Sequence, residues 1–126
     1  MRVRRYTREH TWVHAIGSRA LVGISDFAQR ELGDIAYVEL PAVGRRLARG
    51  EAACTVDSLK SSSEIDSPVS GTVVEANAPL ASEGSCGLLN ADPLGAGWLF
   101  AIEMSNPGEL DALLSEEEYA AYVGSA

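Results

Sequence analysis

Two stretches of this chain repeat the same punctuation at the same spacing, and that repetition narrows its possible folds. Pro41-Ala42-Val43-Gly44 is followed by Leu47 and then Gly50; Pro68-Val69-Ser70-Gly71 is followed by Val74 and then Asn77 at the same offsets. Each copy reads as a proline, a turn, a short strand and a residue that tolerates positive φ. Two similar halves imply a pseudo-twofold β structure; the other reading is a chance likeness of two turns. If the symmetry holds, the segment joining the copies is a strand, a bend and a strand. A flattened β-sandwich then projects the bend on stiff strands rather than on a floppy loop.

The joining segment runs from Cys54 to Pro68, and Lys60 stands at or beside its bend. Lys60 is the only lysine in the protein, and the other nine basic side chains are arginines. An exposed lysine is ordinarily a solvated charge, yet a chain that uses arginine everywhere else has kept a lysine here. Only the lysine amine can become nucleophilic at accessible cost, because a guanidinium stays protonated. The surrounding serines leave room for a modifying enzyme's cleft, and the flanking Asp57 and Glu64 keep the free amine charged. A catalytic Schiff-base lysine needs the reverse environment, a desolvated pocket. The segment therefore reads as a site of covalent attachment.

Along the rest of the chain, Arg4 to Tyr6, Thr11 to Ala15 and Ala20 to Ile24 read as strands, with Gly17-Ser18 turning the second into the third. Ser25 is an N-cap, Gly33 a stop, and the helix Asp26 to Leu32 between them is expected to bury Phe27 and Leu32. Ile35 to Leu40 is a strand ended by Pro41. Leu80 to Leu89 reads as irregular and Asn90 to Gly97 as turns. Trp98 to Glu103 is a strand. Pro107 opens a helix over Gly108 to Leu114, and Ser115 caps a terminal helix over Glu116 to Val123, to which no chemistry is assigned.

At 126 residues the chain is expected to be one domain, 1–126, with a core over about 18–104 and a helical segment over about 107–123. A net charge of −8 argues against a nucleic-acid partner, whose phosphates need clustered Lys and Arg. Four arginines crowd the first eight residues, but Glu9 follows and no aromatics extend the patch. No apolar run reaches membrane-spanning length and the N-terminus lacks an apolar signal core, so a cytoplasmic protein without a membrane partner is expected. Cys54 and Cys86 lack metal-ligand spacing, and neither a zinc site nor a catalytic triad can be argued.

The segment Val56-Asp57-Ser58-Leu59-Lys60-Ser61-Ser62-Ser63-Glu64-Ile65, continued by Ser67-Pro68-Val69-Ser70-Gly71, closely resembles the lipoyl-attachment motif of the glycine cleavage system H protein family. The likeness runs nearly end to end. His10-Thr11-Trp12-Val13, Val22-Gly23-Ile24-Ser25, Leu32-Gly33-Asp34, Val38-Glu39-Leu40-Pro41, Leu89-Asn90-Ala91-Asp92-Pro93 and Gly97-Trp98-Leu99 fall where that family has similar stretches. Biotin carriers share the fold but flank their lysine with methionine, whereas Leu59 and Ser61 flank Lys60.

The resemblance implies a mostly β, barrel-sandwich hybrid fold: a pseudo-twofold flattened barrel of the lipoyl/biotinyl-carrier type, with short flanking helices including a C-terminal one. It implies lipoate amide-linked to Lys60, with Asp57, Ser63, Glu64 and Gly71 around the attachment point and His10 and Thr11 in the cleft that receives the arm. It implies a carrier rather than an enzyme, passing an aminomethyl group from a pyridoxal-phosphate glycine decarboxylase to a folate-dependent aminomethyltransferase. Dihydrolipoyl dehydrogenase and a lipoate ligase or lipoyl/octanoyltransferase complete the implied partners.

The chain also departs from that family. His10-Thr11-Trp12 stands where His-Glu-Trp is usual, so an anionic partner for the loaded ammonium is missing. Asp57 replaces a usual Glu, Leu94 a usual Tyr, and Gly95-Ala96-Gly97 a usual Gly-Asp-Gly. A specialised H-like carrier serving lipoyl relay or another pathway therefore stays open, as does an unmodified interaction module on the same fold.

Overall fold

The computed structural model describes residues 2–81 and 87–124, so Gly84 and Cys86, with the rest of 82–86 in the stretch read as irregular, lie outside the described residues. The described strands form two antiparallel sheets. The larger contains β1 (Arg2–Tyr6), β2 (Thr11–Ile16), β3 (Arg19–Ile24), β5 (Arg46–Leu47), β8 (Gly71–Ala76) and β9 (Phe100–Met104), in the order β1-β2-β3-β9-β8-β5. The smaller is β4 (Ile35–Glu39), β6 (Ala52–Ser58) and β7 (Ser62–Asp66), in that order.

One core lies between the sheets. Val38, Cys54, Val56 and Ile65 from the smaller sheet meet Val13, Val22, Phe100 and Ile102 from the larger. Strand alternation supplies these inward positions, since successive side chains point to opposite faces. β2 departs from simple alternation because both its faces are covered. Val13 enters the main core, while Trp12 enters a second cluster with Tyr6 and the C-terminal Tyr119. The Trp12 indole N–H is satisfied there by Pro93 O at 2.9 Å. The flattened, open sandwich with flanking helices is the architecture expected from the sequence.

The two repeat copies lie side by side: β5 pairs antiparallel with β8, Leu47 opposite Gly71. Gly44 N donates to Val73 O at 2.7 Å, and Val73 N to Arg45 O at 2.9 Å. The copies are not equivalent residue for residue. Leu47 is buried whereas Val74 is 38% exposed, and the β-bulge between Val73 and Glu75 is what shifts the burial pattern. Gly50 takes φ +87°, but Asn77 has no positive φ. Asn77 instead latches the distant turn through Nδ2, donating to Ala96 O (2.9 Å) and Trp98 O (2.7 Å).

α1 (Asp26–Leu32) has the bounds read from its caps: Ser25 Oγ accepts from Ala28 N, and Gly33, at φ +79°, donates its N–H to Gln29 O. Phe27 and Leu32 are only half-buried, because α1 packs at the margin of the core and Phe27 leans on the His10 ring at 4.4 Å. Three further elements differ from expectation. A 3-10 turn covers Ala78–Ala81, and α2 (Leu88–Ala91) forms where irregular chain and turns were read. Pro107–Ala112 is a 3-10 turn rather than a longer helix. The last strand starts at Phe100 because Trp98 N is taken by Gly95 O in the preceding turn. α3 (Glu116–Gly124) opens with a capping box: Ser115 Oγ accepts from Glu118 N, and Glu118 Oε1 accepts from Ser115 N.

Candidate functional site

Lys60 occupies the tip of the β6–β7 hairpin, exposed, as the sequence predicts. Ser58 organises that tip. Its N–H donates to Ser61 O at 2.8 Å, its Oγ accepts from Lys60 N (3.3 Å) and Ser61 N (3.0 Å), and its O–H lies 3.1 Å from Ser61 O. A short side-chain hydroxyl bonding its own backbone is the chemistry by which serine holds tight turns. The tip also leans on the end of α1: Leu59 N donates to Asp34 O at 3.0 Å. The Lys60 stem lies against Gly33, where a Cβ would stand 3.2 Å from Lys60 Cε.

Asp57 is half-buried on β6 and accepts from Ser62 Oγ across the hairpin. Ser63 stands opposite Val56, and the exposed Glu64 opposite Thr55. Among the described residues Lys60 makes no ion pair, so Asp57 and Glu64 flank its amine without bonding it. Leu59, 79% exposed, and Tyr37, 50% exposed and opposite Asp57, add apolar surface beside the tip. Gly71 is in the other sheet, between β5 and β9. A Cβ there would sit 2.1 Å from Glu103 O, so the strand approach demands glycine.

His10 and Thr11 are neighbours in chain but point to different surroundings. His10 takes φ +70°, and its Nδ1 lies 2.7 Å from the Tyr119 hydroxyl. Tyr119 OH is also 2.7 Å from Ser25 Oγ, the N-cap of α1. Burial pushes the His10 ring below its usual value, against the opposing pull of Glu31 and Glu9. Thr11 is buried and lines a cleft of about 430 Å3 between the β1–β2 turn, Gly50, the 66–68 segment and residues 112–114. Glu9 and Asp66 bring carboxylates to this cleft, and Arg8 and Arg49 bring cations.

The roles of several residues went unsignalled: Tyr119 and Asn90 bond across long sequence separations, and Glu9 and Asp66 meet only as lining of the cleft. Tyr119 could have been flagged as one of two tyrosines, with Tyr122, on a short helix otherwise made of glutamates and small residues with one valine. Cys54 is a core residue, its thiol pushed up to about 12 by burial. Among the described residues no three His, Cys, Asp or Glu side chains converge to hold a metal ion. None of the described helices is long and apolar enough to cross a membrane.

A stiff hairpin offering one amine from a two-sheet sandwich is the architecture of a carrier domain, a protein that other enzymes modify and visit. Residues 4–126 match the sequence profile described as Glycine cleavage H-protein. The chain is 47% identical over 119 residues to the Glycine cleavage system H protein of Methylocella silvestris, covering 94% of each, and 44% identical over 119 residues to that of Thermotoga maritima, again 94% of each. Its backbone matches the crystal structure of a glycine cleavage system H protein from Mycobacterium marinum with TM-score 0.85, at 35% identity and 96% coverage of both chains. The chain belongs to the glycine cleavage H-protein family, whose members are carriers rather than catalysts.

Proposed function

We propose that this protein is the lipoyl carrier of a glycine cleavage system, with lipoate amide-linked to Lys60 Nζ. The observation that carries the reading is the sole lysine of the chain, exposed at the tip of a hairpin fixed at both ends. The residues present suit an attached arm: small serines stand around it, no carboxylate among the described residues pairs with the amine, and glycine at 33 leaves space for the stem. When bound there, lipoate supplies a dithiolane that accepts and releases the aminomethyl group. The chain's own residues do the positioning. Ser58 sets the turn, and Asp34 O holds Leu59 in place.

The 430 Å3 cleft beside Thr11 is our candidate for receiving the loaded end of the arm. β7 leads from the tip to its rim, about 13 Å from Ser62 to Asp66 at strand rise. Thr11 offers no charge, so Glu9 and Asp66 are the carboxylates that would face an ammonium, while His10 stands outside the lining, bonded to the Tyr119 that stacks on the lining Tyr6. Asp57 and Glu64 present themselves to the attaching enzyme from the hairpin's outer face, Ser63 lies on the opposite face beside Val56, and Gly71 contributes by letting β8 run close against β9 within the larger sheet. The partners are then the decarboxylase, the aminomethyltransferase, dihydrolipoyl dehydrogenase and a lipoate-attaching enzyme, working in the cytoplasm on a single domain. Tethering the thiols to one docking protein raises their effective concentration at each partner.

Intact-mass measurement of protein from its native host tests the attachment. A lipoyl-sized increment is expected, and it should vanish in Lys60→Arg, which keeps the charge but not the acylable amine. An increment that persists in the variant would refute the assignment. Glycine–bicarbonate exchange with the partner decarboxylase tests the pathway, and failure of a fully lipoylated sample there would favour a specialised relay carrier.

A further inference from the structure

Asn90, in α2, ties the end of α1 to the start of β4. Its Nδ2 donates to Gln29 Oε1 and to Gly33 O, both at 2.9 Å, and its Oδ1 accepts from Ile35 N at 3.0 Å. Both amide donors are thus used, together with one acceptor position. Gly33 and Asp34 lie between these anchor points, and both touch the hairpin tip. A Cβ on Gly33 would stand 3.2 Å from Lys60 Cε, and Asp34 O accepts from Leu59 N at 3.0 Å. The lysine therefore leans on a ledge whose shape is held by a side chain from a distant part of the sequence.

We infer that Asn90 is a positioning residue for the carrier lysine: by clamping the Gly33–Asp34 ledge it sets the direction in which the Lys60 side chain leaves the hairpin. The inference rests on Lys60 being the attachment point. Gly33 is conformationally permissive, so beyond its own N–H bond to Gln29 O little in its backbone would hold this geometry once the clamp is gone. Released, the ledge no longer presents Asp34 O to Leu59, and the Lys60 stem samples a wider cone. A partner then finds the correctly directed arm less often, while the chemistry after docking is unchanged. Such a loss appears in the KM for the carrier rather than in kcat.

The test compares full-length wild type with Asn90→Asp and Asn90→Ala. Asn90→Asp is isosteric, keeps the acceptor for Ile35 N and replaces both donations with an oxygen facing two oxygens. Because Lys60 is the only lysine, isotope-labelled lysine marks a single residue, and its Hε protons can be followed by nuclear Overhauser contact to the Gly33 α-protons. The contact is expected in wild type and lost in both variants, with the KM of the lipoylated variants for the decarboxylase raised by up to about tenfold at unchanged kcat. The inference stands only if both readouts move. A lowered thermal midpoint with contact and KM retained makes Asn90 a merely structural residue and overturns it.

Should both variants fail to fold, amide exchange in wild type decides. Leu59 and Ile35 amides must be protected together, and an unprotected Leu59 overturns the inference. If wild type takes no lipoate, or Lys60→Arg takes it equally, the attachment reading falls. The Overhauser contact still judges the hold of Asn90 on Lys60 in that case.

Discussion

At Gly71 the backbone of β8 runs so close to β9 that an added Cβ would lie 2.1 Å from Glu103 O and 2.9 Å from its carbonyl carbon. Backbone cannot rotate aside as a flexible side chain can, so relief would require opening the β8–β9 ladder. Gly71→Ala is expected to cost about 3 kcal/mol or more, lowering the thermal midpoint by more than about 10 °C. Calorimetry of the unlipoylated protein would check this, and a midpoint close to wild type would contradict it. Cys54 is constrained in another way. Its thiol is 3% exposed and burial raises it to about 12, leaving almost no thiolate at neutral pH. In a Cys86→Ser background, Cys54 should resist iodoacetamide under native conditions and react at the rate of an ordinary thiol in denaturant. Fast native labelling would show that the core opens more readily than its packing indicates.

α3 does more than cover apolar surface. Tyr119 stacks on Tyr6 with ring centroids 4.3 Å apart, and its hydroxyl joins His10 Nδ1 to Ser25 Oγ. The chain is satisfied when Ser25 O–H donates to the phenol oxygen and the phenol O–H donates to a neutral His10. One hydroxyl thereby couples the C-terminal helix, the β1–β2 turn and the N-cap of α1. Tyr119→Phe keeps the stacking and removes both bonds, leaving the Ser25 hydroxyl without that partner. A loss of about 1–3 kcal/mol is expected from an unsatisfied buried polar group. Urea unfolding should show a lowered midpoint at unchanged slope. A midpoint equal to wild type would mean that water replaces the hydroxyl.

The same linkage gives the whole molecule a pH response. Burial holds His10 below its ordinary value of 6.5, so the unfolded chain binds its proton first. Its contribution is complete above about pH 6.5 and is lost as pH falls from there through the lower folded value. The thermal midpoint should fall on acidification through that window, and His10→Gln should flatten this part of the profile. An equal slope in the variant would assign the response elsewhere. Glu51 and Glu118, held below the usual 4.5 by backbone amides of Ala48 and Ser115, act only at more acidic pH.

What could be read from the chain alone was set by neighbours in sequence. Ser25 and Gly33 bound α1 to the residue because a cap bonds groups within its own turn. The serines and the solitary Lys60 located the hairpin tip because a turn is closed by residues it contains. Burial of Phe27, the third spacing of the repeat and the roles of Asn90 and Tyr119 depended instead on which remote segments came to lie against each other. Long-range pairing is chosen by packing of both sheets at once, and a residue's own neighbours carry little of that choice. The sequence thus determined that an amine would be offered at a bend; the tertiary structure alone decided what that amine leans on and which remote segments close the cleft beside Thr11.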